Sequence, residues 1–122
     1  MTRVFVVDDT PQMRRMLEQM LTLDDFEVVG VAASGETAKS ANDDSDPDVV
    51  VVDYKMPGLD GIATARLIRA HRPEQAIILY TAYLDDVLER EAEQAGVALC
   101  VEKIDGITTL ERDIRRLAGG LF

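Results

Sequence analysis

Cysteine, proline, positive charge and long apolar runs are all scarce in this chain. A single cysteine, Cys100, in 122 residues excludes an intramolecular disulfide and a cysteine-cluster metal site. The fold must then rest on a hydrophobic core, and a chain this long can bury roughly 65% of its unfolded surface. No segment is of low complexity, and none repeats. Thirteen Lys and Arg stand against 23 Asp and Glu, a formal net charge of -10. A field of that sign argues against binding nucleic acid or an anionic membrane by this domain alone. No apolar run approaches the ~20 residues of a membrane span. Val4–Val7 is too short for the apolar region of a signal peptide, and Asp8 and Asp9 interrupt it at once. The expectation is a cytoplasmic protein forming one domain over residues 1–122, with a linker able to start near Gly119-Gly120.

What the chain has is an alternation of two textures. Short, largely β-branched apolar runs occur at Val4–Val7, Val28–Ala32, Val49–Val52, Ile77–Tyr80 and Leu99–Val101. Between them lie segments of helical period. Met13, Met16, Leu17, Met20 and Leu21 share one face, and the methionines there read as core filler. Ile62, Ala65, Leu67 and Ile68 make a second face. Val87, Leu88, Ala92 and Ala95 make another, and Leu110, Ile114 and Leu117 the last. Glu36–Ala41 is a weaker helix, ending in a polar loop over Asn42–Pro47. Thr10-Pro11 opens the first helix as cap and first residue, and Gly96 closes the fourth. Five strands alternating with five helices predict an α/β fold with a doubly wound parallel sheet. Right-handed crossovers with strand order 2-1-3-4-5 put the first and third strands side by side at the centre.

In such a sheet ligands bind beyond the carboxyl ends of the strands, where strand order reverses. Asp8 and Asp9 follow the first strand, Asp53 ends the third, Thr81 ends the fourth, and Lys103 follows the fifth. Two like charges about 4 Å apart repel by roughly 4 kcal/mol at an effective dielectric of 20. Three carboxylates in one crevice therefore take up a proton or a cation. Hard oxygen ligands with open positions favour Mg²⁺. Beside such an ion one carboxylate can act as nucleophile toward a phosphoryl group, giving an aspartyl phosphate. Lys103 and Thr81 can hold the phosphoryl oxygens.

Together these residues make the chain resemble a receiver domain of a bacterial two-component response regulator. The likeness runs through Asp8-Asp9, Asp53, the loop Met56-Pro57-Gly58-Leu59-Asp60-Gly61, Thr81-Ala82 and Lys103, over essentially the whole chain. It implies a flavodoxin-like (βα)5 fold with Asp53 as phosphoacceptor. It implies Asp9 as direct Mg²⁺ ligand, Asp8 as ligand through water, and the Lys55 backbone carbonyl as a further ligand. Thr81 resembles the switch hydroxyl, and Lys103 the residue that pairs with the phosphoryl oxygen. The implied phosphodonor is a histidine kinase or histidine phosphotransfer protein. The implied output, to a homodimer partner or an output domain, runs through the fourth helix, fifth strand and fifth helix. Such a domain is not a conventional enzyme, though it promotes its own phosphorylation and dephosphorylation.

Three positions depart from the family pattern. Cys100 stands where an aromatic is usual, which leaves the coupling to Thr81 and its loop or to another ring, with Tyr83 nearest. Ile104 replaces the proline that commonly follows the lysine, so a trans bond or an altered path is expected there. Lys55 and Tyr83 flank the path of a hydrolytic water, which predicts slow self-dephosphorylation. Cys100 reads as a small buried apolar residue and His71 as surface structure at a helix end. The alternative reading is a receiver-like docking module that is not phosphorylated. A flavodoxin-type electron carrier needs a Gly-, Ser- and Thr-rich phosphate loop after the first strand, where this chain has two carboxylates. A haloacid-dehalogenase-type hydrolase needs Asp-x-Asp there, and Asp8-Asp9-Thr10 does not match.

Overall fold

A computed structural model of the chain describes residues 1–119. Strands β1 (Arg3–Val7), β2 (Glu27–Ala32), β3 (Val49–Asp53), β4 (Ala76–Thr81) and β5 (Leu99–Glu102) alternate with helices α1 (Pro11–Leu23), α2 (Gly35–Ser45), α3 (Gly61–His71), α4 (Asp86–Gln94) and α5 (Gly106–Gly119). A 3-10 turn, Lys103–Asp105, joins β5 to α5. All strand pairs are parallel, in the order β2-β1-β3-β4-β5. This is the expected doubly wound flavodoxin-like sheet.

The side-chain period of two divides the core. Phe5, Val7, Val50, Val52, Ile77 and Leu79 face Ala38 of α2, Ala65 of α3 and Leu88 of α4. Val4, Val6, Val49, Val51, Ile78 and Tyr80 face Leu17 and Leu21 of α1 and Leu110 and Ile114 of α5. Helices cover both faces, which is why β3 can be an unbroken valine run with every residue buried. Burying one such side chain fully stabilises the fold by about 1.5–3 kcal/mol. The register places Val7 beside Val52, so the residues that follow both strands emerge side by side.

Three expectations need correction. The α1 methionines do not form the core, although Met13 packs against its edge. Met16 is 39% exposed and Met13 and Met20 are only half-buried, because the face turned to the sheet is set by Leu17 and Leu21. The polar stretch after Ala41 is not wholly loop, since α2 continues to Ser45. Ser34 caps its start by accepting from the Thr37 N–H, and Ala38 and Asn42, one turn apart, are both fully buried. Asp46, left-handed at φ 49°, closes the end by donating its N–H to the Asn42 carbonyl. Lastly, Val87 is exposed on α4, while Leu88 and Ala92 make its buried stripe.

Elsewhere the reading agrees with the structure. Pro11 opens α1 after Thr10, although the Thr10 side chain makes no cap bond. Gly96, at φ 92°, ends α4 where a side chain would be strained. His71 is exposed in the last turn of α3, with Nδ1 3.2 Å from the Leu67 carbonyl oxygen. The expected linker residue Gly120 and the chain end at Phe122 lie outside the described residues.

Candidate functional site

The carboxyl edge of the sheet gathers the predicted residues. Asp8 is 1% exposed and Asp53 8%, and Asp9 is half-buried beside them. One carboxylate oxygen from each lies within 4.8 Å of the others. The backbone around Asp8 is fixed from two sides. Its Oδ1 accepts from the Thr10 N–H at 2.8 Å, and its carbonyl accepts from Arg14 Nη1 at 2.7 Å. Arg14 was not among the predicted site residues. Its signal is a cation near the start of a helix, where the dipole disfavours positive charge unless a partner holds it.

Lys103 arrives from the far side of the sheet. Its Nζ lies 3.2 Å from Asp53 Oδ1 and 3.5 Å from Asp8 Oδ2. It also stands 5.8 Å from the centre of the Tyr80 ring. Burial raises the Asp53 pKa above the ordinary carboxylate value. Lys103 opposes that rise, and the Asp8 and Asp9 charges add to it. Three carboxylates and one ammonium leave two negative charges to balance. The donors are hard oxygens, few enough to leave open positions, so the cluster suits a divalent ion such as Mg²⁺. Lys55, whose backbone carbonyl is the other expected ligand, lies two residues beyond Asp53 and lines the adjoining cleft.

The loop after β3 is set by Gly61. A Cβ there would press on the Asp53 carbonyl, the Tyr54 Cα and the Leu79 side chain. The Gly61 N–H donates to the Tyr54 carbonyl at 2.7 Å, and Asp60 caps α3 through the Ala63 N–H at 2.8 Å. Thr81 ends β4 with its hydroxyl turned to its own loop. It donates to the Tyr83 carbonyl at 3.1 Å and accepts from the Tyr83 N–H at 3.3 Å. A cleft of about 420 Å³ opens from Asp53 and Thr81 toward α4, walled by Tyr54, Tyr83, Val87 and Leu88.

Two of the unusual positions have clear surroundings. Cys100 is half-buried against the core beneath α2, α3 and α4, and burial pushes its thiol up to about 11. That is the opposite of a reactive thiolate. Ile104 is 86% exposed in the 3-10 turn, and no cis bond occurs among the described residues. The bond after Lys103 is therefore the trans one, the first of the two outcomes expected without a proline. Tyr83, 74% exposed, is not packed against Cys100's side of the core.

Known proteins agree with this geometry. The family model described as response regulator receiver domain matches residues 4–115. Response regulator GacA of Pseudomonas viridiflava is 37% identical over 98% of this chain, which spans only 56% of that protein's length. A two-component response regulator of the LuxR family from Aurantimonas sp. SI85-9A1 superposes with a TM-score of 0.93 at 28% identity, over 98% of this chain and 87% of the other. Response regulator protein TrrA of Thermotoga maritima, solved in complex with Mg²⁺ and BeF, gives 0.86 at 31% identity, over 96% and 99%. With sheet order, acidic edge and family model in accord, this chain belongs to the response regulator receiver domains of two-component systems.

Proposed function

We propose that residues 1–122 act as one phosphoacceptor switch in the cytoplasm. A histidine kinase or histidine phosphotransfer protein is the donor, and Asp53 is the acceptor. An Asp53 carboxylate oxygen bonds to phosphorus as the P–N bond of the donor phosphohistidine breaks and the imidazole leaves. Asp8, Asp9, Asp53 and the Lys55 carbonyl hold Mg²⁺, which when bound supplies positive charge against the carboxylates and the incoming phosphoryl oxygens. Lys103 keeps its ammonium at the acceptor and pairs with a phosphoryl oxygen. Thr81 leaves the Tyr83 backbone to bond the phosphoryl group, which releases the loop before α4. The change then passes to α4, β5 and α5, the output face toward an attached domain or a second copy.

The observation that carries this reading is Lys103 Nζ, seated between Asp53 and Asp8 at the mouth of a three-carboxylate cluster. A structural ion pair needs one carboxylate, whereas phosphoryl transfer needs all of these groups together. The test is intact mass after incubation with acetyl phosphate and Mg²⁺. The wild type is expected to gain one phosphoryl group and Asp53→Ala none. No gain by a folded wild type that binds Mg²⁺ would put the unphosphorylated docking module in its place.

A further inference from the structure

The chemistry of α4 is not accounted for by the stability of α4. Asp85 caps the helix through the Leu88 N–H at 2.8 Å, and Asp86 and Glu89 in the first turn suit the positive end of the dipole. Glu91 and Glu93 do not. They lie toward the negative end, where the last turn carries no basic residue. Glu89 and Glu93 form a like-charge pair four residues apart, which weakens a helix by a few tenths of a kcal/mol. No ion pair to α4 is recorded among the described residues. Beside Glu91 lie two exposed apolar side chains, Tyr83 at 74% and Val87 at 56%. Both line the cleft of about 420 Å³, and Glu91 sits on its rim.

We infer that this face docks a short basic protein segment, with one large apolar side chain in the cleft and Lys or Arg against Asp85 and Glu91. The cleft is of side-chain size and its walls are mainly apolar. Asp85 and Glu91 on its rim outnumber the one exposed lysine there, Lys55, and the helix keeps Glu91 against its own dipole. The cleft also ends at Thr81 and Asp53, so a seated segment touches the loop that the proposed switch releases. The inference names the partner class of that switch. It rests on the switch only for the direction of signalling, since docking itself needs no phosphoryl group.

The test uses the unphosphorylated full chain, labelled with ¹⁵N, and the peptide amide Arg-Lys-Phe-Leu-Lys-Arg as probe. Amide shifts are expected to cluster over residues 81–93. Glu91→Lys with Asp85→Asn should bind about tenfold more weakly, and its melting temperature should not fall, because asparagine still caps α4 and the change at 91 suits the negative end of the helix. Val87→Ser should weaken binding with charge unchanged. Shifts spread evenly over the acidic surface, equal binding by a peptide with Gly and Ser in place of Phe and Leu, or no shifts at millimolar probe would each overturn the inference. None of these outcomes bears on acetyl phosphate labelling, so failure here and failure of the switch are separate results.

Discussion

Asp53 is buried among carboxylates and held by one ammonium, and the residues around it decide what can reach it. Lys55 and Tyr83 both line the cleft beside Asp53, one from the loop after β3 and one from the loop after β4. Both are exposed, so neither is needed by the core. Their bulk lies where water would approach an aspartyl phosphate. The double variant Lys55→Asn with Tyr83→Ala is therefore expected to shorten the phosphoryl lifetime several-fold, with melting temperature little changed. Decay of the labelled mass with time measures it, and an unchanged rate would remove these side chains from the account. The proposed acceptor, the acids and the lysine were all legible in the sequence, because each stands at or just after a strand end. The Thr81 hydroxyl's engagement with the Tyr83 backbone was not, because it depends on how one loop folds back.

At the scale of elements, α5 packs on α1 through a contact that buries a carboxyl group. Glu111 of α5 is buried, and its Oε2 has no hydrogen-bond partner among the described residues. Asp24, at the end of α1, faces it. Arg115 faces it from the next turn of α5, donating to the Asp24 carbonyl at 3.1 Å and stacking over Phe26. Burial pushes the Glu111 pKa up to about 7, Asp24 adds to the rise and Arg115 opposes it. A carboxyl raised on folding holds its proton more tightly in the folded state. Its contribution is complete below the unfolded value of 4.5 and is lost as pH rises to about 7. Glu111→Gln copies the protonated form at every pH. Its melting temperature relative to wild type is expected to rise from pH 5 to pH 8, and a constant difference would show that Glu111 is ionised throughout. Nothing in the sequence marks Glu111, since its burial comes from the docking of α5 on α1. The length of α2 was hidden for a similar reason. Its last turn is polar, and it is held by the burial of Asn42 and by the left-handed Asp46.

At the scale of the molecule, the net charge of -10 is not spread evenly. Part of it meets at the carboxyl edge of the sheet, where three carboxylates cluster and one lysine pairs with two of them. A ligand that binds only the folded state stabilises it by about 2.7 kcal/mol at a hundred times its dissociation constant. For a domain of this size that amounts to about 10 °C in melting temperature. Saturating Mg²⁺ is expected to give a shift of that order. Chelation should reverse it, and Asp9→Asn should abolish most of it. A shift that survives Asp9→Asn would place the ion elsewhere on the acidic surface.

The sequence by itself determined the alternation of strands and helices, the strand order and the acidic edge. The alternation follows from local period and the edge from residues that stand at strand ends, while the strand order is what the receiver resemblance implies, and each can be read without knowing a contact. Only the tertiary structure decided which apolar residues are core. Met16 and Val87 have the right period, yet Leu17 and Leu88 hold the buried positions, because a helix's rotation is fixed by the sheet it meets. It also decided that Lys103 spans Asp53 and Asp8, that Arg14 secures the Asp8 carbonyl, and that Tyr83 and Val87 stay open beside an acidic helix. Those relations join residues far apart in the chain or on different faces, and they exist only once the sheet has brought its edges together.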